Sequence, residues 1–204
     1  MAADPNYASV SLLLHGDGAN GSTTITDNSA NPKTVTAGGN AQISTAQSKF
    51  GGSSLYFDGT GDYLSIPAHA DFQFGTGAFT IEAWLYMTAT PGAQGAHIFG
   101  RQEYGLGSDY VFSVKSNRTV TFYLSNAAAN VATSTATVPL NTWCHVAVTR
   151  SGTTFYVFVD GVGASGTSAL STEVPYAVSY SIGADQNGDE ANYTGHIDDL
   201  RITK

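Results

Sequence analysis

The chain has 204 residues, of which 42% are hydrophobic and 12% are charged, about half the charged share of an average globular domain. The 16 acidic and 8 basic residues give a net charge of −8, which argues against nucleic-acid binding because that function needs a basic stripe. The single cysteine, Cys144, excludes an intrachain disulfide. We expect a soluble protein, since no apolar run approaches the roughly 20 residues that cross a bilayer and no signal peptide opens the chain.

Short apolar runs alternate with turns rich in Gly, Asn, Asp and Ser, which predicts strands rather than helices. In chain order the predicted strands cover residues 10–15, 54–57, 62–66, 79–87, 97–99, 110–114, 120–124, 143–149, 154–159, 180–183 and 195–202. The polar segment 16–40 is predicted to be a long ordered loop. This strand spacing is typical of an all-β, two-sheet antiparallel jelly-roll sandwich. We expect residues 1–8 to be an extension and residues 9–204 to be a single domain.

Six segments occur in an order that resembles one known superfamily. They are 11–18 (SLLLHGDG), 50–59 (FGGSSLYFDG), 79–84 (FTIEAW), 143–147 (WCHVA), 156–161 (YVFVDG) and 195–202 (GHIDDLRI). Together they resemble the laminin-G-like, concanavalin A-like lectin/glucanase superfamily, in the variant found in bacteriophage tail or decoration proteins. The resemblance implies a jelly roll. From it we also expect a virion-surface or extracellular location and a glycan partner.

The resemblance also implies a structural calcium that joins the loop after the first strand to the last strand. The matching positions are Asp27, Asn28, Asp198 and Asp199, with Asp17 as a further candidate. Calcium takes 6–8 oxygen ligands, and these side chains would supply some of them. On a regular strand Asp198 and Asp199 point to opposite faces, so a cation would offset the cost of whichever carboxylate faces inwards. The alternative is that Asp198 accepts hydrogen bonds and Asp199 faces solvent.

The segment 185–190 (DQNGDE) carries side-chain oxygens at alternate positions: Asp185, Asn187 and Asp189. This spacing partly resembles an EF-hand loop, but Glu190 stands where the turn glycine belongs. We predict that the segment forms a ligand-binding rim or a second cation site. The alternative is a solvated loop between two strands.

Aromatic residues in polar surroundings are candidates for stacking against sugar rings. Three tyrosines meet this description and are predicted as ligand platforms, with partly buried loop packing as the alternative: Tyr104, Tyr176 and Tyr193. Arg101 follows the predicted strand 97–99 and Gly100, and it is predicted to reach a ligand on the concave face. Trp84 and Trp143 lie within strong strand patterns, which predicts that both pack in the core.

The sequence disfavours catalysis. A glycosidase needs two carboxylates that flank the scissile bond, yet none of the four glutamates has an acidic partner two or four residues away on a predicted strand. They are Glu82, Glu103, Glu173 and Glu190. No G-x-S-x-G or H-E-x-x-H motif occurs. The main hypothesis is a non-catalytic carbohydrate-recognition domain for phage attachment. The alternatives are a decoration or tail-associated domain that acts through protein contacts, including contacts with other virion proteins, and a glycoside hydrolase.

Overall fold

The structure is a computed structural model that describes residues 5–101, 110–169, 178–185 and 187–204. Within these ranges the chain forms three 3₁₀ turns, at Tyr7–Ser9, Ala70–Phe72 and Ser125–Ala127, and sixteen strands. The strands are β1 (Val10–Leu14), β2 (Thr24–Ile25), β3 (Val35–Gly38), β4 (Gln42–Ser44), β5 (Ser54–Asp58), β6 (Tyr63–Ile66), β7 (Phe79–Met87), β8 (Ala96–Gly100), β9 (Tyr110–Val114), β10 (Thr119–Leu124), β11 (Ala129–Thr137), β12 (Cys144–Ser151), β13 (Thr154–Val159), β14 (Val162–Thr167), β15 (Tyr180–Ile182) and β16 (Thr194–Thr203). No helix among the described residues is long and apolar enough to span a membrane.

The strands pair into two antiparallel sheets that pack face to face. Sheet 1 has the order β14-β13-β12-β7-β16-β5-β4, and β1 also pairs with β16. Sheet 2 has the order β11-β10-β9-β8-β15-β6-β3-β2. This arrangement confirms the predicted all-β sandwich. The clearest sequence signal, the alternation in 79–87, corresponds to β7, where buried and half-buried side chains alternate along the whole strand.

Five strands lie where the sequence predicted none: β2, β3, β4, β11 and β14. The prediction of a loop over 16–40 was therefore wrong in part, since β2 and β3 fall within it. Four of these strands are at the ends of the two sheets, and β3 is next to an end. Edge strands bury few side chains, so these segments are polar and lack the apolar run that marks a central strand.

Aromatic rings from both sheets fill the space between them. Phe122 of β10 and Phe155 of β13 belong to opposite sheets, and their ring centroids are 5.4 Å apart. Trp84 is not part of this core, contrary to the prediction, because it occupies a half-buried position of β7. Trp143 packs on Tyr86, which has the same orientation on β7, at 5.5 Å. Both tryptophans therefore lie on the outer side of sheet 1, since side chains alternate along a strand.

Three connections meet at one end of the sandwich: the β5–β6 turn, the β7–β8 loop and the β15–β16 loop. The Thr88 amide donates to the Thr194 carbonyl at 3.0 Å, which ties the β7–β8 loop to the start of β16. A Cβ on Gly188 would lie 2.9 Å from the Gly61 carbonyl oxygen, so the β15–β16 loop lies directly on the β5–β6 turn. These contacts hold the three connections around a common hollow.

Candidate functional site

A cleft of about 340 Å³ opens between the β7–β8 loop and the β15–β16 loop. Residues 89–95 form one wall and residues 189–192 form the other, with Gly59, Met87 and Thr194 between them. Ligand pockets in proteins have volumes of about 300–1,000 Å³, so the cleft has room for a small ligand or for one end of a longer one. We regard this rim cleft as the candidate functional site.

Asp185 organises the acidic wall of the rim cleft. Its Oδ1 accepts hydrogen bonds from the amides of Asp189, at 2.9 Å, and Glu190, at 3.3 Å. Its own amide donates to the Glu190 carbonyl at 3.1 Å. A short side chain that accepts from nearby amides in this way stabilises a tight turn. The Asp185 carboxylate thus shapes the wall, while Asp189 and Glu190 face the cleft.

Asn192 gives the cleft its most distinctive polar group. Its side-chain oxygen is buried and has no hydrogen-bond partner within the described chain. Leaving such an acceptor unpaired costs about 1–3 kcal/mol, so native proteins retain few of them. The backbone there is held in place, because the carbonyl of the neighbouring Ala191 accepts a hydrogen bond from the His97 amide at 2.9 Å.

The lining of the cleft favours a ligand that donates hydrogen bonds. Its polar side chains are the carboxylates of Asp189 and Glu190, the amides of Gln94 and Asn192, and the hydroxyls of Thr90 and Thr194. No Lys, Arg or His is among the described residues that line it. Carboxylates and amide oxygens accept from hydroxyl groups, whereas an anionic ligand would meet no positive partner here.

The predicted rim residues have different positions in the structure. Asp189 lines the cleft, and its contact with a ligand stays a prediction. Asn187 is exposed in the same loop but does not line the cleft. Asp185 is only 7% exposed and is engaged by the loop's own amides, so the prediction that it contacts ligand is replaced by a structural role.

Two of the other predicted ligand residues are buried. Tyr193 is fully buried, its hydroxyl donates to the His196 carbonyl at 3.0 Å, and burial raises its pKa well above the usual range. Its prediction as a platform was wrong because the ring packs edge-on against Phe57 of β5 inside the core. Arg101 is 1% exposed, with Nη1 donating to the Val178 carbonyl at 3.3 Å, so it does not present its guanidinium to solvent. Tyr104 and Tyr176 lie outside the described residues.

Asp27, a predicted calcium ligand, is engaged by the protein itself. It is 4% exposed, and its Oδ1 accepts from the amides of Leu13, at 3.0 Å, and Ser29, at 2.9 Å. Its Oδ2 accepts from the Ser29 hydroxyl at 3.0 Å and the Lys33 amide at 2.7 Å. Four donors therefore satisfy both oxygens and hold the loop after β1. Asn28, the next residue, is exposed.

Asp198 and Asp199 lie in an irregular part of β16. Asp199 has a φ of 50°, so the regular alternation assumed for this pair does not hold, and its carboxylate is 2.6 Å from His15 Nδ1. Asp198 is fully buried, and its Oδ2 accepts from the amides of Lys49, at 2.6 Å, and Phe50, at 3.0 Å. Its Oδ1 has no partner among the described residues. Burial raises the pKa of this carboxyl, against the lowering effect of the two amides.

The five predicted calcium ligands do not form one cluster of acidic side chains. Asp17 is exposed, and in the described part of the chain no three His, Cys, Asp or Glu side chains come together in a group able to hold a metal ion. Of the five, Asp198 has the buried oxygen that a cation would satisfy, whereas Asp27 has no free oxygen. Calcium stays a prediction.

The chain matches the concanavalin A-like lectin/glucanases superfamily, in its laminin-G-like branch, over residues 58–204. The match covers most of the chain, so the protein belongs to this superfamily. No curated protein sequence matches the chain.

Solved structures with the same fold come from several kinds of protein. Domain 4 of AbnA, an extracellular arabinanase from Geobacillus stearothermophilus, in complex with arabinotriose, has a TM-score of 0.71 and 17% identity, and the match covers 97% of this chain and 93% of that domain. The binding domain of Paraclostridial Mosquitocidal Protein 1 has a TM-score of 0.67 and 12% identity, with 97% of this chain and 49% of that one covered. Trypanosoma rangeli sialidase has a TM-score of 0.63 and 16% identity, with coverages of 96% and 31%. At such identities the likeness shows a lectin-like fold and not a shared function.

Sequence reasoning did not find half of the rim cleft. Residues 89–95 (ATPGAQG) connect two strands and contain turn residues, but nothing in their spacing shows that they face residues 189–192 across the cleft. Asn192 was also missed, because an asparagine beside a turn has an ordinary local explanation. The only available signal was that both segments are polar and each adjoins a strong strand pattern.

Proposed function

We propose that the chain is a non-catalytic carbohydrate-binding domain that holds neutral sugar hydroxyls in the rim cleft. The acceptor-rich lining of the cleft carries the proposal. Asn192 belongs to that lining, and a turn of its side chain would bring its oxygen, which is buried and has no partner within the described chain, to a ligand hydroxyl. Asp189, Glu190 and Gln94 supply further acceptors around it. The lectin-like fold and the arabinotriose bound to the AbnA domain support a sugar as the ligand.

A binding role fits the cleft better than glycoside hydrolysis does. Hydrolysis needs two carboxylates on either side of the scissile bond, about 5–10 Å apart. The acidic residues of the cleft, Asp189 and Glu190, are neighbours in the same loop, and the facing wall, residues 89–95, has no acidic residue. This arrangement supports a domain that binds without cleaving.

The competing function, a structural domain that acts through protein contacts, would expose a continuous apolar patch. The large apolar side chains that the described chain exposes are Tyr7, Phe50, Tyr156 and Val162. Only Tyr156 and Val162 lie on adjacent strands, β13 and β14. The scattered positions favour ligand binding over a protein interface.

We further propose that the domain acts on an extracellular or virion surface, with a calcium ion at Asp198 as a structural element. The surface role is supported by the likeness to an extracellular arabinanase domain, and the virion role by the resemblance of the six segments to phage structural domains. The free Oδ1 of Asp198 supports the cation.

A glycan array tests the binding function. The purified domain is screened against neutral and anionic oligosaccharides, including arabinotriose, with calcium and with EDTA. We expect binding to one neutral class, and Asn192→Ala should weaken it by about tenfold because a buried hydrogen bond is lost. The melting temperature should not fall, since the substitution removes an unsatisfied acceptor.

Asn130→Ala is the matched control, because Asn130 is exposed on β11, outside the lining of the cleft. It should leave binding unchanged. A folded domain that binds no neutral glycan, with or without calcium, would rule the proposal out and shift attention to protein partners. Binding that Asn192→Ala leaves intact would place the site elsewhere.

A further inference from the structure

A second hollow, of about 370 Å³, lies on the outer side of sheet 1 at its β4 edge. Six residues line it: Thr23, Gly39, Asn40, Gln42, Tyr56 and Asp58. Unlike the lining of the rim cleft, this lining contains an aromatic ring, that of Tyr56. Like the rim cleft, it has no Lys, Arg or His among the described residues of its lining.

The second hollow adjoins the rim cleft. Asp58 lines the hollow, and the next residue, Gly59, lines the cleft. Thr194, which also lines the cleft, is the cross-strand partner of Asp58 in the β5–β16 ladder. A Cβ on Gly59 would lie 2.2 Å from the Thr194 hydroxyl oxygen, so the backbone at Gly59 lies against the Thr194 side chain where the two depressions adjoin. The two depressions therefore have neighbouring lining residues at Asp58, Gly59 and Thr194.

The Tyr56 ring is held in a fixed position at the hollow. Its centroid is 4.9 Å from that of His196, its cross-strand partner. His196 is 4% exposed, and its Nδ1 is 3.0 Å from the Ser54 hydroxyl. The Ser54 hydroxyl and the Tyr86 ring, whose centroid is 6.1 Å from that of His196, thus fix the His196 ring behind Tyr56, while Tyr56 itself stays half-buried. A ring held in this way presents an apolar face at little entropic cost.

The polar groups of the hollow suit sugar hydroxyls. Asn40 Nδ2 is 3.4 Å from Asp58 Oδ2, a long hydrogen bond that a ligand could replace. Asp58 Oδ1 already accepts from the Thr60 amide at 2.8 Å, which orients the carboxylate. The Gln42 amide lies on β4, directly across from Tyr56. An aromatic face flanked by amide and carboxylate groups matches a sugar ring with its hydroxyls.

We infer that the domain binds an extended neutral oligosaccharide rather than a single terminal sugar. One end of the chain occupies the rim cleft, and a unit further along stacks on Tyr56 in the second hollow. This inference rests on the proposed function, and it adds the length of the ligand and a second contact point on a different face of the sandwich.

Calorimetric titration with graded oligosaccharides tests the inference. The probes are arabino-, xylo-, gluco-, manno- and galacto-oligosaccharides of two, three and six units. In the series that binds, the hexamer should bind at least about tenfold tighter than the dimer, a difference of about 1.4 kcal/mol. Tyr56→Ala should remove this gain and leave dimer affinity unchanged. Asn192→Ala should weaken both.

Tyr156→Ala is the matched control, since Tyr156 is also on sheet 1 and is 38% exposed, but three other strands separate its strand, β13, from β5. It should bind every probe as the unsubstituted domain does. Equal affinities for dimer and hexamer, or a hexamer affinity that survives Tyr56→Ala, would overturn the extended path and leave the cleft function intact. If none of the five series binds, both proposals fail. Melting temperatures of all variants show that losses of binding are not losses of folding.

Discussion

Among individual residues, Asp198 has the environment with the clearest consequence for stability. Its carboxyl is fully buried. One oxygen accepts hydrogen bonds from two backbone amides, and the other has no partner in the described structure. Burial raises its pKa in the folded state. Above about pH 4 the unfolded chain has released the Asp198 proton, whereas the folded protein still binds it. The free energy of unfolding therefore falls as the pH rises from about 4 through the pKa of the folded state.

Asp198→Asn removes this dependence. In EDTA, the stability of the variant relative to the unsubstituted domain should increase from about pH 4 to about pH 7, as measured by urea denaturation at each pH. Calcium should reverse the trend, because a bound cation favours the ionised carboxylate and only the unsubstituted domain would gain from it. Asp58→Asn, at an exposed carboxylate that is not among the predicted calcium ligands, serves as the control. A relative stability that does not change with pH would contradict the raised pKa.

Residues also show where sequence reasoning reached its limit at the site. Asp189 was predicted from its loop composition, and it lines the cleft. Tyr193, four residues further along the chain, was predicted as a ligand platform because it is an aromatic residue in polar surroundings, and it is fully buried. The difference arises because Tyr193 packs edge-on against Phe57 of β5, at 6.0 Å. That contact depends on strand pairing, which local composition does not reveal.

At the scale of secondary-structure elements, the edges of the sheets determine how the sandwich closes. β11 of sheet 2 lies against β14 of sheet 1, so the two edges meet along one side. Central strands such as β7 could be predicted, because each buries a full row of apolar side chains. β11 and β14 could not, since their contacts use small and polar residues whose partner lies in the other sheet.

Gly166 of β14 makes this closure possible. A Cβ at this position would lie 1.7 Å from the Val131 carbonyl oxygen of β11, so the backbone of one strand would have to move. We expect Gly166→Ala to lower the free energy of unfolding by about 1–3 kcal/mol, the range for overpacked sites, as measured by chemical denaturation. Ser165→Ala, at the exposed neighbouring position, should change it little. Equal stabilities of the two variants would mean that the edges are not in contact in solution.

For the molecule as a whole, charge selects among possible ligands. The chain carries a net charge of −8, and no cationic side chain is among the described residues of the rim cleft or the second hollow. An anionic glycan would therefore approach a surface of its own sign, without a local ion pair to offset the repulsion. Neutral glycans are free of this penalty. The distribution of charge thus supports the same ligand class as the hydrogen-bonding groups of the cleft.

The salt dependence of binding shows whether electrostatic repulsion or steric fit makes the domain prefer neutral over anionic glycans. We expect the affinity for a neutral oligosaccharide to change less than about twofold between about 20 mM and about 500 mM NaCl, since salt screens only charged pairs. The sialylated or sulfated form of the same oligosaccharide should bind at least about tenfold more weakly at low salt. Added salt should reduce this difference in affinity between the neutral and the anionic form. Calorimetric titrations of the matched pair give both values. If salt leaves the difference in affinity between the two forms unchanged, steric fit excludes the anionic group. If the anionic form binds more tightly than the neutral form, the ligand contacts a basic surface away from both depressions.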